Sequence, residues 1–182
     1  MRGDVGQLAE HLLHLLGIRQ LTLITAESCT AGALSHRLAD APGAGLRFHG
    51  GFVVYTKAQK NSALGVPADL LHQKGAVCRE VARAMAEGAL RHSTADLAAA
   101  ITGVAGPEPD EDGNPVGRVC VAIARRAGPT EDFERRYPPD GRDAIRQRAI
   151  HDTLEALISA VTSHGGQPDL ARERKPAGRV PG

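Results

Sequence analysis

The sequence predicts one α/β domain, a three-layer α/β/α sandwich built on a mixed, mostly parallel sheet. Short apolar runs alternate with helix-periodic stretches along most of the chain. That alternation places helices on both faces of a sheet. The last two runs are joined around Gly128-Pro129, a turn signal that predicts an antiparallel hairpin at the end of the order.

Each element has its own reason. Residues 4–17 carry Val5, Leu8, Leu12, Leu13, Leu15 and Leu16 at helical intervals, with Gly17 as a stop. The run at 21–25 reads as a buried strand, followed by a helix from Thr30 to about Ala39 that ends at the breaker Ala41-Pro42-Gly43. Phe52-Val53-Val54-Tyr55 reads as a second strand. A short helix over 57–64 stops at Gly65, and Pro67 can open another. The clearest amphipathic helix covers 79–92, with Val81, Ala82, Met85, Ala86, Ala89 and Leu90 on one side. A small-residue strand at 97–102 runs into Gly103-Val104-Ala105-Gly106-Pro107, then an acidic loop at 108–115 that reads as a solvated turn. Strands at 116–124 and 133–137 and a helix at 143–162 complete the domain, assigned to 1–162. Gly, Pro and charged residues dominate 163–182, which reads as a flexible tail.

Composition narrows the function. A chain of 182 residues can build a substantial core, and a formal net charge of +1 provides no field for nucleic acid. With no Trp, two Tyr and three Phe, a base-stacking platform is not expected. No apolar run approaches the ~18 residues of a membrane span, and Asp4, Gln7, Glu10 and His11 interrupt anything like a signal peptide. Cys29, Cys78 and Cys120 form no CxxC pattern, so reduced thiols and a cytoplasmic location are expected.

The residues able to do chemistry gather at predicted strand ends. Thr25-Ala26-Glu27-Ser28-Cys29-Thr30 joins a strand to a helix. There Ser28 is either a helix N-cap or a nucleophile near a positive helix end, and Cys29 is a rival nucleophile or a small buried apolar residue. Glu27 either meets a substrate amide or complements the helix dipole. None of the eight histidines has the spacing of a triad or a metal site; His11 and His14 read as surface residues. Lysine is the alternative base when burial lowers its pKa, and Lys57 and Lys60 both follow the second strand. The glycines of Thr102–Pro107 permit close backbone approach to a ligand, or simply make a turn. Arg142 and Arg146 lie on one face of the last helix, where they either bind a phosphate or are solvated. Open α/β sheets bind ligands where such strand ends meet.

Over roughly residues 7–160 the chain resembles the CinA C-terminal domain family. The resemblance rests on Thr25–Thr30, Gly51–Tyr55 with Lys60, Leu64-Gly65-Val66 and Gly75-Ala76-Val77, and continues through Met85–Ala89, Ile101–Pro107 and Pro115-Val116-Gly117. It implies an amidohydrolase that converts nicotinamide mononucleotide to nicotinic acid mononucleotide and ammonia, without metal or organic cofactor. Ser28 would be the nucleophile and Lys60 its base, with Tyr55 and Thr102 lining the catalytic site. Glu27, Cys29, Thr30, Gly103, Ala105 and Gly106 would contact substrate, and Arg142 with Arg146 would hold its phosphate. The resemblance further implies a homo-oligomer and the stand-alone amidase form, with a small-molecule nucleotide as partner and neither nucleic acid nor membrane. Three positions depart from the family pattern: Ala31 replaces a glycine, Cys78 a serine, and Asp140-Gly141-Arg142 inverts a Gly-Asp-Arg. The alternative is a nucleotide-binding or interaction module without turnover, linked to competence or DNA damage.

Overall fold

The computed structural model describes residues 4–163, so the tail expected at 163–182 lies, beyond Ser163, outside the described residues. Their elements run α1 (Val5–Arg19), β1 (Leu23–Glu27), α2 (Ala33–Asp40), α3 (Ala44–Arg47), β2 (Phe48–Val53), α4 (Lys57–Leu64), α5 (Ala68–Lys74), α6 (Arg79–Arg91), β3 (Leu97–Gly103), β4 (Arg118–Arg125), β5 (Glu131–Arg136) and α7 (Arg142–Thr162). The strands form one sheet in the order β2-β1-β3-β4-β5. β1 pairs in parallel with β2 and β3, whereas β4 is antiparallel to β3 and β5. The sheet is therefore mixed, and every strand except β4 points the same way.

Alternation along the strands sorts the core into two halves. Leu97, Ala99 and Ile101 of β3 face one cluster with Leu12 and Leu16 of α1, Leu34 and Leu38 of α2, and Ile145, Leu154 and Leu157 of α7. Ala98 and Ala100 face the other, with Leu64 of α4, Leu71 of α5 and Val81, Met85 and Ala89 of α6. Helices thus cover both faces. The second face is floored by alanine (Ala26, Ala98, Ala100, Ala122 and Ala124), which lets α6 lie close to the sheet. α6 in turn meets α4 through Gly88, where an added Cβ would stand 2.2 Å from the Leu64 carbonyl oxygen.

The structure departs from the sequence expectation at several boundaries. β2 begins at Phe48 and ends at Val53, and the short α3 was not expected. Gly50-Gly51 breaks the apolar pattern, yet Gly51 belongs inside the strand: a Cβ there would lie 2.1 Å from Thr25 Oγ1. α2 starts at Ala33 instead of Thr30, because Ala31 (φ 52°) and Gly32 (φ 92°) turn the chain left-handed first.

That turn changes how α2 is capped. The side chain that satisfies its first N–H groups is Glu27, at the end of β1. Its Oε2 accepts from Gly32 N and Leu34 N (both 3.1 Å), and its Oε1 accepts from Ser35 N (2.8 Å) and Ser35 Oγ (2.5 Å). Ser35 Oγ lies 2.7 Å from Thr25 Oγ1, which extends the network along β1. Glu27 is fully buried. Removing it would orphan several buried donors at once, so Glu27→Ala should lower unfolding free energy by about 2–4 kcal/mol. Denaturant titration measures this, and a loss below about 0.5 kcal/mol would contradict the capping role.

Candidate active site

The parallel strands end side by side. Glu27 of β1 is in register with Val53 of β2 and Ile101 of β3. The next residues of each strand therefore converge: Ser28 and Cys29, Val54 and Tyr55, and Thr102 to Gly106. All of these except the buried Val54, together with α4 and the segments 76–77 and 108–112, line a cleft of about 400 Å³. Of the residues expected in the site, Ser28, Cys29, Tyr55, Lys60, Thr102, Gly103, Ala105 and Gly106 line it.

At the cleft floor the Lys60 Nζ donates to Ser28 Oγ at 2.8 Å and to the Val54 carbonyl at 2.9 Å, with the Tyr55 carbonyl at 3.5 Å. Lys60 is 0% exposed, and among the described residues it is the bulkiest side chain so buried. Local sequence puts it there. Thr56 Oγ1 caps α4 by accepting from Gln59 N at 3.2 Å, and Gly65 (φ 67°) ends the helix two turns later. The inward face of α4 then presents Lys60 and Leu64. Burial disfavours the ammonium and lowers the Lys60 pKa from 10.5 to about 8, with the neighbouring Cys29 acting the other way.

Ser28 does not cap α2; its own N–H donates to the Ile101 carbonyl at 2.9 Å, anchoring it between β1 and β3. Among the described residues, the Cys29 and Thr30 N–H groups that follow donate to no protein acceptor, and neither does the buried Thr30 Oγ1. Of these, Cys29 lines the cleft, and a free backbone donor directly after a hydroxyl can stabilise charge developing on an oxygen beside it. Burial raises the Cys29 thiol to about 12, which keeps it protonated at neutral pH and disfavours it as a nucleophile.

Other expected site residues occupy different roles. Glu27 does not line the cleft, since α2 and Ser35 take both its oxygens. Thr30 is also set back from it. Tyr55 is 59% exposed, so its phenol sits at the mouth while its carbonyl faces Lys60. Thr102 Oγ1 donates to the Ala76 carbonyl at 2.8 Å and fixes the opposite wall. Arg142 donates to the Gly106 carbonyl, and Arg146 Nε donates to the Cys29 carbonyl at 2.8 Å. Arg142 and Arg146 therefore bond the cleft's loops without lining the cleft itself, and among the described residues neither joins a salt bridge with a carboxylate, unlike Arg148 of the same helix.

The sequence departures also have physical readings. Ala31 adopts the left-handed conformation that glycine takes without steric cost. Cys78 precedes α6 without capping it through its side chain, and Asp140 pairs with Arg148. The acidic segment is solvated, as expected, but its carboxylates are also engaged. Asp110 Oδ1 accepts from Asp112 N (3.1 Å) and Asn114 N (2.7 Å), while Asp112 bonds Lys57 and Ala76. Asp112 and the 76–77 wall were missed as site residues, and Lys57 stood only as an alternative to Lys60. Their only sequence signal was a lysine one helical turn before Lys60. A possible metal cluster, His151, Asp152 and Glu155 on α7, lies outside the cleft, and Asp152 is already bonded by Arg135 and Tyr137.

Comparison with known proteins agrees on the family. The profile of the CinA C-terminal domain matches residues 5–161. A CinA-like protein of Mycobacterium sp. (strain MCS) is 48% identical over 140 residues, 77% of this chain and 33% of the relative. A CinA-like protein of Synechococcus sp. (strain CC9902) is 43% identical over 154 residues, 85% of this chain and 37% of the relative. The chain thus spans about a third of the length of these curated relatives. The crystal structure of competence/damage inducible protein CihA from Agrobacterium tumefaciens superposes with a TM-score of 0.83 at 39% identity, covering 87% of this chain and 96% of that one. A competence-damaged protein (CinA) superfamily protein from Escherichia coli gives 0.82 at 33% identity, over 86% and 90%. With a profile match over nearly all the described residues, and relatives and solved structures of the same family above 30% identity, the chain belongs to the CinA C-terminal domain family.

Proposed function

We propose that this domain is a serine/lysine amidohydrolase that converts nicotinamide mononucleotide to nicotinic acid mononucleotide and ammonia. The observation that carries the reading is the buried 2.8 Å contact between Ser28 Oγ and Lys60 Nζ, with a lysine whose pKa falls to about 8. When Lys60 is neutral the same contact reverses: the hydroxyl donates to the amine lone pair, and the Val54 carbonyl holds the amine in place. Ser28 Oγ then attacks the carboxamide carbon as its proton passes to Lys60. The oxyanion forms beside the free Cys29 N–H group, the donor of this turn that lines the cleft. Collapse breaks the C–N bond, and the proton on Lys60 leaves with ammonia. Water, deprotonated by Lys60, cleaves the resulting ester to the free acid and restores Ser28.

The two arginines of α7 at the cleft's loops favour a substrate carrying an anionic group such as a nucleotide phosphate. Incubation of the purified protein with nicotinamide mononucleotide and assay of ammonia tests the reading. Tight nucleotide binding with no ammonia would favour instead the binding-module alternative. The base must be neutral, so kcat/KM should rise about tenfold per pH unit below about 8 and level off above it. A profile flat from pH 6 to 9 would exclude Lys60 as the base.

A further inference from the structure

The walls of the cleft are joined by one carboxylate. Asp112 Oδ1 accepts from Lys57 Nζ at 2.6 Å, and Asp112 Oδ2 accepts from Ala76 N at 3.1 Å. Glu111 Oε1 lies 2.9 Å from the same ammonium. On the far side the Ala76 carbonyl accepts from Thr102 Oγ1 at 2.8 Å. A continuous chain thus runs from α4 through the acidic loop and the 76–77 wall to the end of β3. Gly75 makes room for it: a Cβ there would lie 2.5 Å from Asp112 Oδ2. Asp110, bonded to its own loop's N–H groups, keeps the segment folded so that Asp112 points back across the cleft.

We propose that Lys57 and Asp112 are positioning residues that latch the 108–114 loop across the Ser28–Lys60 cleft and thereby set the affinity for substrate without touching the reacting atoms. The inference rests on the amidohydrolase reading for its kinetic consequence only. With the walls ordered before substrate arrives, binding does not have to offset the entropy of ordering them. Lys57 holds the Asp112 carboxyl below its usual range, and Asp112 with Glu111 holds the Lys57 ammonium above its own, so the latch stays charged across neutral pH. Both side chains are partly exposed (31% and 26%), so salt weakens the pair.

Kinetics and amide hydrogen exchange on the whole chain test this. Asp112→Ala and Lys57→Met should each raise KM about tenfold with kcat within about threefold, and the double variant should be no worse than either single, because the pair acts as a unit. Added salt should raise the wild-type KM toward that of the variants. Asp112→Asn, which keeps an acceptor for the Ala76 N–H, should fall between wild type and Asp112→Ala. In parallel, Ala76 should exchange slowly in the wild type and at least about tenfold faster in Asp112→Ala. Unchanged KM in both single variants, additive losses in the double, or equally fast exchange at Ala76 in the wild type would each overturn the latch. If the wild type releases no ammonia, the amidohydrolase reading fails on its own, and exchange at Ala76 still decides whether the latch exists.

Discussion

Ser28→Ala should reduce ammonia release from nicotinamide mononucleotide by at least about a thousandfold, since without the hydroxyl no acyl-enzyme forms. Nucleotide affinity, measured by calorimetry, should stay within a few fold, because the arginines and loop backbone that would hold the rest of the ligand are unchanged. The fold should tolerate the change: the Ser28 side chain bonds only Lys60, while its backbone N–H still anchors to Ile101. Cys29→Ala is the matched control. Its thiol is held protonated by burial, with a pKa of about 12, and its loss should leave more than about a tenth of the activity. The reverse pattern, an active Ser28→Ala and an inert Cys29→Ala, would move the nucleophile one residue along the turn.

Lys60→Met is the second large effect, with opposite signs on activity and stability. Without a base the rate should fall by about 10²–10⁴-fold. Yet the folded protein holds a fully buried lysine whose pKa drops from 10.5 to about 8, a shift of about 3 kcal/mol against the charged form. Methionine fills similar volume without that penalty, although the Val54 carbonyl loses its donor. A net gain of about 1–2 kcal/mol in unfolding free energy at pH 7 is expected. The pH dependence identifies the cause. Below about 8 both folded and unfolded states carry the proton, and burying it is a constant cost. Between about 8 and 10.5 the unfolded chain binds a proton that the native state does not, so wild-type stability from this group rises with pH. The Lys60→Met variant should lack that rise. Equal slopes in the two proteins, or a variant less stable than wild type at pH 7, would contradict a desolvated lysine at this position.

Much of the fold could be read from periodicity. The apolar spacing of α1 and α6 and the alanine-rich β3 placed those elements nearly where they stand. Where the reading slipped, two glycines hid the start of β2 and two left-handed residues delayed a helix. The sequence reading begins the second strand at Phe52, because nothing local reveals that Gly51 fits inside it, with Thr25 Oγ1 lying where a side chain would be. Ala31 gives no sign of a positive φ. For the site, strand-end residues were legible since parallel strands must converge, and the family resemblance selected Lys60 over Lys57. The placement of Glu27 was not legible. Its neighbour relations arise from the turn at 31–32, which brings α2 back over the end of β1. The latch was equally hidden, because Lys57 and Asp112 are 55 residues apart and meet only through the tertiary fold.

The capping of α2 by Glu27 has a consequence for how this domain can be re-engineered. In many enzymes a helix that starts beside the nucleophile lends its dipole to the reaction, so tuning one disturbs the other. Here a carboxylate one residue before Ser28, the proposed nucleophile, already neutralises the start of α2, and the chain passes through Ser28 to Gly32 before the helix begins. The scaffold and the chemistry are decoupled at adjacent positions. Side-chain substitutions in the turn at 29–31 leave the groups that Glu27 bonds, at Gly32, Leu34 and Ser35, in place. A library confined to that turn should yield folded proteins far more often than one that includes Glu27.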